Sequence, residues 1–107
     1  MTDQLALCLD ETAFDRFHAD NPKVYETLVR LAREWVARFG GHKLGIATLY
    51  ETARWQITIA TNDAEFRLNN NWRSYYSRLI MAQEPDLAGL FDLRTSKADL
   101  WIAGAVA

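Results

Sequence analysis

Apolar positions recur along this chain at helical spacing. From Val24 the residues Leu28, Leu31, Ala32, Trp35 and Phe39 lie on one side at 100° per residue, and Val29 and Val36 widen that side. Pro22 suits a first helical turn, where its missing N–H costs nothing, and Asn21 before it is a good N-cap. Gly40-Gly41 supplies a stop. The pattern therefore predicts a central helix from Pro22 to Phe39. On its polar side, Glu26–Arg30, Arg30–Glu34 and Glu34–Arg38 are each four apart and add small support.

Upstream, Asp10 or Thr12 can cap a short helix carrying Phe14, Phe17 and His18, with Thr12 and Asp15 at capping-box spacing. Downstream of Gly45, Ile46, Leu49, Tyr50, Ala53 and Ile57 share one helical face, while Trp55 falls nearly opposite it. Trp55, Ile57 and Ile59 also alternate, so a helix to about Gln56 followed by an irregular or extended piece fits residues 55–68. Trp72, Tyr75, Tyr76, Leu79 and Ile80 then form the apolar face of a helix from Asn71 to about Ala82. Its opposite face carries Arg73, Ser74, Ser77, Arg78 and Met81. Pro85 opens a further short helix with Leu87, Leu90 and Phe91 as its buried residues. The tail "SKADLWIAGAVA" reads as one more helical turn capped by Ser96 or as an apolar strand, with Trp101 as its large anchor against the domain or across a dimer contact. The expected architecture is all-α, a compact bundle of four or five helices around a tri-helical core, in a single domain over residues 1–107.

Three consecutive asparagines precede the aromatic helix. One explains a cap, since a side-chain amide oxygen can accept a backbone N–H that the first helical turn leaves without a partner. A second explains a tight turn. The third has no structural use at this level. Side-chain amides at a helix N-terminus, followed by arginines on its outer face, suit phosphate contact or base-edge readout. That makes Arg67, Asn69, Asn70, Arg73, Ser74, Ser77 and Arg78 the candidate nucleic-acid-contacting set.

Composition changes this picture little, and charge changes it more. Half the residues are hydrophobic and 24% are charged, which is ordinary for a folded domain. Net charge is −2 but unevenly placed. Residues 1–22 carry −4 and residues 83–107 carry −2, whereas residues 23–82 carry +4. A basic working surface between acidic ends fits that distribution, with Lys43 and Arg54 extending it. The aromatic content is generous at four Trp, four Tyr and five Phe, so part of it is available to a protein partner. Trp55 and Trp101 are the candidate interface anchors, for a host or phage protein or for a homodimer.

The chemistry of enzymes is not visible. His18 and His42 stand apart from each other and from Cys8, without metal-ligand spacing, so neither a metal nor a cofactor is expected. Asp63, Glu65 and Arg67 alternate in a manner that partly matches the acidic cluster of metal-dependent nucleases, but an upstream partner acid does not stand out and a solvated loop explains them. The single cysteine, Cys8, excludes an intramolecular disulfide and reads as a small structural thiol. The N-terminus has no signal-peptide pattern and no apolar run approaches membrane-spanning length, so a cytoplasmic protein, without a membrane partner, is expected.

"NPKVY", "LNNN", "YSRLIM" and "EPDLAG" as a set resemble a group of small proteins from phages and prophages, over roughly residues 14–94. The resemblance implies a non-enzymatic accessory protein of the host-cell cytoplasm, with a helix-turn-helix-like DNA-binding role. About fifteen residues separate the predicted helix ends at Gln56 and Trp72, so the turn between them would be an enlarged one.

Overall fold

A computed structural model describes residues 2–106, and of residues 2–10 and 106 it describes the backbone alone. The reading of Cys8 as a structural thiol therefore lies outside the described side chains. Five α-helices run through the described residues, with no strand among them: α1 (Thr2–Asp20), α2 (Pro22–Phe39), α3 (Ile46–Thr61), α4 (Arg73–Gln83) and α5 (Ala98–Val106). Single 3-10 turns occupy Asn70–Trp72 and Pro85–Leu87. The bundle is all-α, as the periodicity predicts.

The central helix has the predicted limits. Val24, Leu28, Val29, Leu31 and Ala32 are buried along it. Gly40 ends it at φ 61°, a backbone angle that favours glycine, and returns its N–H to the Val36 carbonyl at 2.8 Å. Only one of the three predicted i,i+4 pairs is formed, Arg30–Glu34 at 3.1 Å. Asn21 does not cap α2. Its Nδ2 donates to the Phe17 carbonyl at 3.0 Å, so this side chain closes α1 instead, one residue being all that separates the two helices.

Other elements differ from expectation for physical reasons. α1 begins at Thr2 rather than near Thr12, because no glycine or proline interrupts the Leu/Ala-rich run ahead of it. No cap or capping box therefore forms at Thr12. α3 continues through Thr61, so residues 55–61 are not extended. Ile57 joins Leu49 and Ala53 on the buried face, while Trp55 and Ile59 lie on the outer side, 69% and 61% exposed. The alternation was thus two helical faces sampled in turn. Asn62, at φ 53°, ends the helix in left-handed geometry. The predicted helix after Pro85 is one 3-10 turn, although Leu87, Leu90 and Phe91 are buried as expected. The tail is helical: Ser96 Oγ accepts the Ala98 N–H at 3.2 Å and Asp99 Oδ2 accepts the Ser96 N–H at 2.9 Å, a reciprocal N-terminal cap. Loops 40–45 and 62–69 flank α3, and neither is the three- or four-residue turn of a standard helix-turn-helix.

Phe14, fully buried, is the point where three helices meet. Its ring lies 4.9 Å from Tyr75 and Tyr76 of α4 and 5.1 Å from Trp101 of α5, with Trp72 at 5.6 Å. Trp101 is itself buried, its indole N–H donating to Asp15 Oδ1 at 3.0 Å. Trp101 packs on its own domain and is not an exposed anchor. No described helix is long and apolar enough to cross a membrane.

His18 stacks on Phe14 and meets Tyr25 and Tyr76 edge-on. Its Nδ1 is buried and finds no hydrogen-bond partner among the described residues. Burial lowers its pKa below the ordinary 6.5, with Asp15 opposing that shift. The folded state thus holds His18 neutral at a pH where the unfolded chain already binds a proton. Stability is full above about pH 6.5 and falls as pH drops below it. Thermal unfolding at pH 7 and pH 5 should show a lower Tm at pH 5, and His18→Phe should flatten that interval. An equal slope in the variant would contradict the assignment.

Candidate nucleic-acid interface

The aromatic helix carries the candidate residues, and the structure divides them. Asn69 Oδ1 accepts the Asn71 N–H at 2.9 Å and the Asn69 carbonyl accepts the Tyr50 hydroxyl at 2.6 Å, so Asn69 serves the turn. Asn70 Oδ1 accepts from the Arg54 guanidinium at 2.6 Å. Arg54 also donates to the Leu68 carbonyl at 2.9 Å and pairs with Glu51, which ties α3 to this turn. The helix does not start at Asn71: a 3-10 turn covers Asn70–Trp72 and α4 follows. Cap, brace and surface are thus divided among three amides. Asn71, exposed, is the one whose side chain has no structural engagement.

Two candidates leave the surface altogether. Ser77 is fully buried and Arg78 is 5% exposed. Residues Tyr75 to Ile80 are all buried, because the segment 92–97 and α5 cover the side that the sequence pattern leaves polar. Met81 is only half-exposed and packs against the core. Arg78 spends its guanidinium on three acceptors: Asp99 Oδ1 at 2.6 Å, the Ser74 carbonyl at 3.0 Å and the Arg94 carbonyl at 2.6 Å. The Arg78 hydrogen bond, together with the Ser96 N–H, holds the Asp99 carboxyl below the usual carboxylate range. Ser77 Oγ donates to the Ser74 carbonyl at 3.1 Å.

What Arg78 fixes is a groove. The first turns of α4 form one wall and the segment Asp92–Lys97 the other. Two adjoining depressions of about 690 and 280 Å³ share Arg73, Ser74, Ser96 and Lys97. Arg94 lines the larger, and Asn70 and Asn71 line the smaller. Asp92 is the acidic member, 3.6 Å from Lys43 Nζ. Arg73 Nε donates to the Asn70 carbonyl at 3.1 Å, and among the described residues neither Arg73 nor Arg94 is in an ion pair with a carboxylate. On α2 the situation is reversed, with Arg33 held by Glu84 at 2.7 Å and Asp86 at 2.9 Å. Arg67 is exposed but does not line the groove.

Asn71, Arg94 and Lys97 are therefore groove residues absent from the sequence-derived set. The unassigned third asparagine was the available signal for the first. Nothing in the spacing of the other two points to α4, because it takes the Arg78–Arg94 hydrogen bond to bring that segment in. Among the described residues no group of His, Cys, Asp and Glu could hold a metal ion. No family model, curated protein or solved structure matches this chain.

The two arginines make opposite predictions. Arg78→Ala should cost about 3 kcal/mol in urea unfolding, from loss of charge-assisted bonds and an opened core. Arg78→Lys should recover only a part, since an ammonium cannot reach three acceptors as a planar fork does. Arg73→Ala, at the surface, should stay within about 0.5 kcal/mol of the parent. Equal effects of the alanine substitutions at Arg73 and Arg78 would contradict this division.

Proposed function

We propose that this chain is a non-enzymatic nucleic-acid-binding protein, an accessory protein of phage or prophage type, and that the groove between α4 and the segment Asp92–Lys97 contacts the phosphate backbone. The observation that carries this is the convergence of Arg73, Arg94 and Lys97 on one groove beside the unengaged amide of Asn71. Arg73 and Arg94, in no ion pair with a carboxylate among the described residues, release counterions when they meet phosphates, which gives affinity without sequence preference. Asn70, Asn71 and Ser74 add neutral donors that position a backbone. Reading of base edges by a helix laid lengthwise in the major groove is not supported, because α4 is buried from Tyr75 to Ile80. Contact is end-on, through the first turn and the facing segment.

A second reading, a protein-interaction module directed at a host or phage protein, draws on the exposure of Trp55, with the other proposed anchor, Trp101, engaged in the core.

Fluorescence anisotropy with random-sequence duplex DNA, from low to rising salt, tests the first reading. Binding should weaken steeply with salt. Arg73→Ala with Arg94→Ala should lower the slope of log K against log salt by about two contacts. Unchanged affinity in the double variant would overturn the proposal.

A further inference from the structure

The groove between α4 and the segment Asp92–Lys97 changes character along its length. The smaller depression shares Arg73, Ser74, Ser96 and Lys97 with the larger, so that end is cationic and polar. The larger depression continues past them to Ile46 and Ala47, at the start of α3, and to Leu93. Ile46 is half-buried against the core and Leu93 is 39% exposed. Asp92, next to Leu93 in the chain, lines this part and not the smaller depression. Among the described residues its carboxylate has one cationic neighbour, Lys43 at 3.6 Å, whose Nζ also donates to the Gly89 carbonyl at 2.5 Å.

A phosphate backbone uses only half of such a groove. Ile46, Ala47 and Leu93 offer a phosphate nothing, and Asp92 repels it. A blunt duplex brings no apolar surface there, because its bases are stacked inside and its outer ridge is sugar and phosphate. An unpaired nucleotide fits both ends. Its phosphate meets Arg73 and Lys97, while the face of its base covers the apolar side chains. A base edge with an exocyclic amino group then donates to the Asp92 carboxylate, as cytosine N4 does to an aspartate. The larger depression, about 690 Å³, lies within the ~300–1,000 Å³ of small-ligand sites.

From this division we infer that the occupant of the groove is an unpaired nucleotide of a nucleic-acid strand, its base over Ile46, Ala47 and Leu93, with an amino-bearing base preferred through Asp92. The inference rests on the nucleic-acid reading and narrows it. Duplex engages the cationic end alone, whereas a single strand engages both.

Fluorescence anisotropy of the full chain at one low salt concentration is the test. The probes are a blunt duplex and three single strands of equal length, made of deoxycytidine, of thymidine and of abasic units. The three strands carry the same phosphates and differ only in their bases. The cytidine strand should bind at least about fivefold tighter than the abasic one and about threefold tighter than the thymidine one. Leu93→Ala should narrow the first gap and Asp92→Ala the second, with helical circular dichroism unchanged because both side chains are exposed. Equal binding of the cytidine and abasic strands would overturn the inference and leave the backbone reading standing. No binding of any probe would end both. A cytidine preference that survives both substitutions would put the base elsewhere and overturn the inference too, and cytidine no tighter than thymidine would remove the role given to Asp92.

Discussion

Arg78 is the constraint on which the architecture of the basic edge rests. Its guanidinium reaches the Ser74 carbonyl in its own helix, the Arg94 carbonyl in the segment that follows the core, and Asp99 at the start of α5. Placing a charge at 5% exposure is costly unless it is paired and its donors are used, and here Asp99 supplies the charge partner while two of the three acceptors are backbone carbonyls fixed in place. The consequence is directional. The chain from Asp92 to Lys97, which has no regular structure of its own, is held beside α4, and its cations stand opposite Arg73.

The same helix is gripped from its other side by aromatics. Phe14 brings α1 onto Tyr75 and Tyr76 and under Trp101, so the hydrogen-bonded and the aromatic faces of α4 are both covered. Burial raises the Tyr50 and Tyr76 hydroxyl pKa values well above the ordinary range, which keeps these rings neutral within the core. With α4 buried from Tyr75 to Ile80, its N-terminal end beside the facing segment is the part of it left open to a partner.

Legibility in the sequence followed the clarity of the helical period. α2 was readable to its ends because proline and glycine punctuate a long apolar face. The buried face of α3 was readable too, but its length was not, since Trp55, Ile57 and Ile59 satisfy both a strand and a helix that is apolar on two sides. For α4 the apolar face was correct and the polar face misleading: Ser77 and Arg78 carry the side-chain signature of a solvated surface, and only the return of residues 92–99 turns them inward. Tertiary partners twenty residues away leave no local periodicity. Of the nucleic-acid candidates, Asn70, Arg73 and Ser74 line the groove as exposed or half-exposed residues, Ser77 and Arg78 contribute to it from buried positions, and Asn69 supports the turn.

The central claim, that the groove between α4 and the segment Asp92–Lys97 meets a nucleic-acid backbone, is tested most directly by an NMR titration of the labelled chain with a short duplex at low salt. Amide shifts concentrated in residues 70–74 and 92–97, with little change along the outer side of α3, are the predicted result. Shifts confined to α3, or none at saturating duplex, would contradict it.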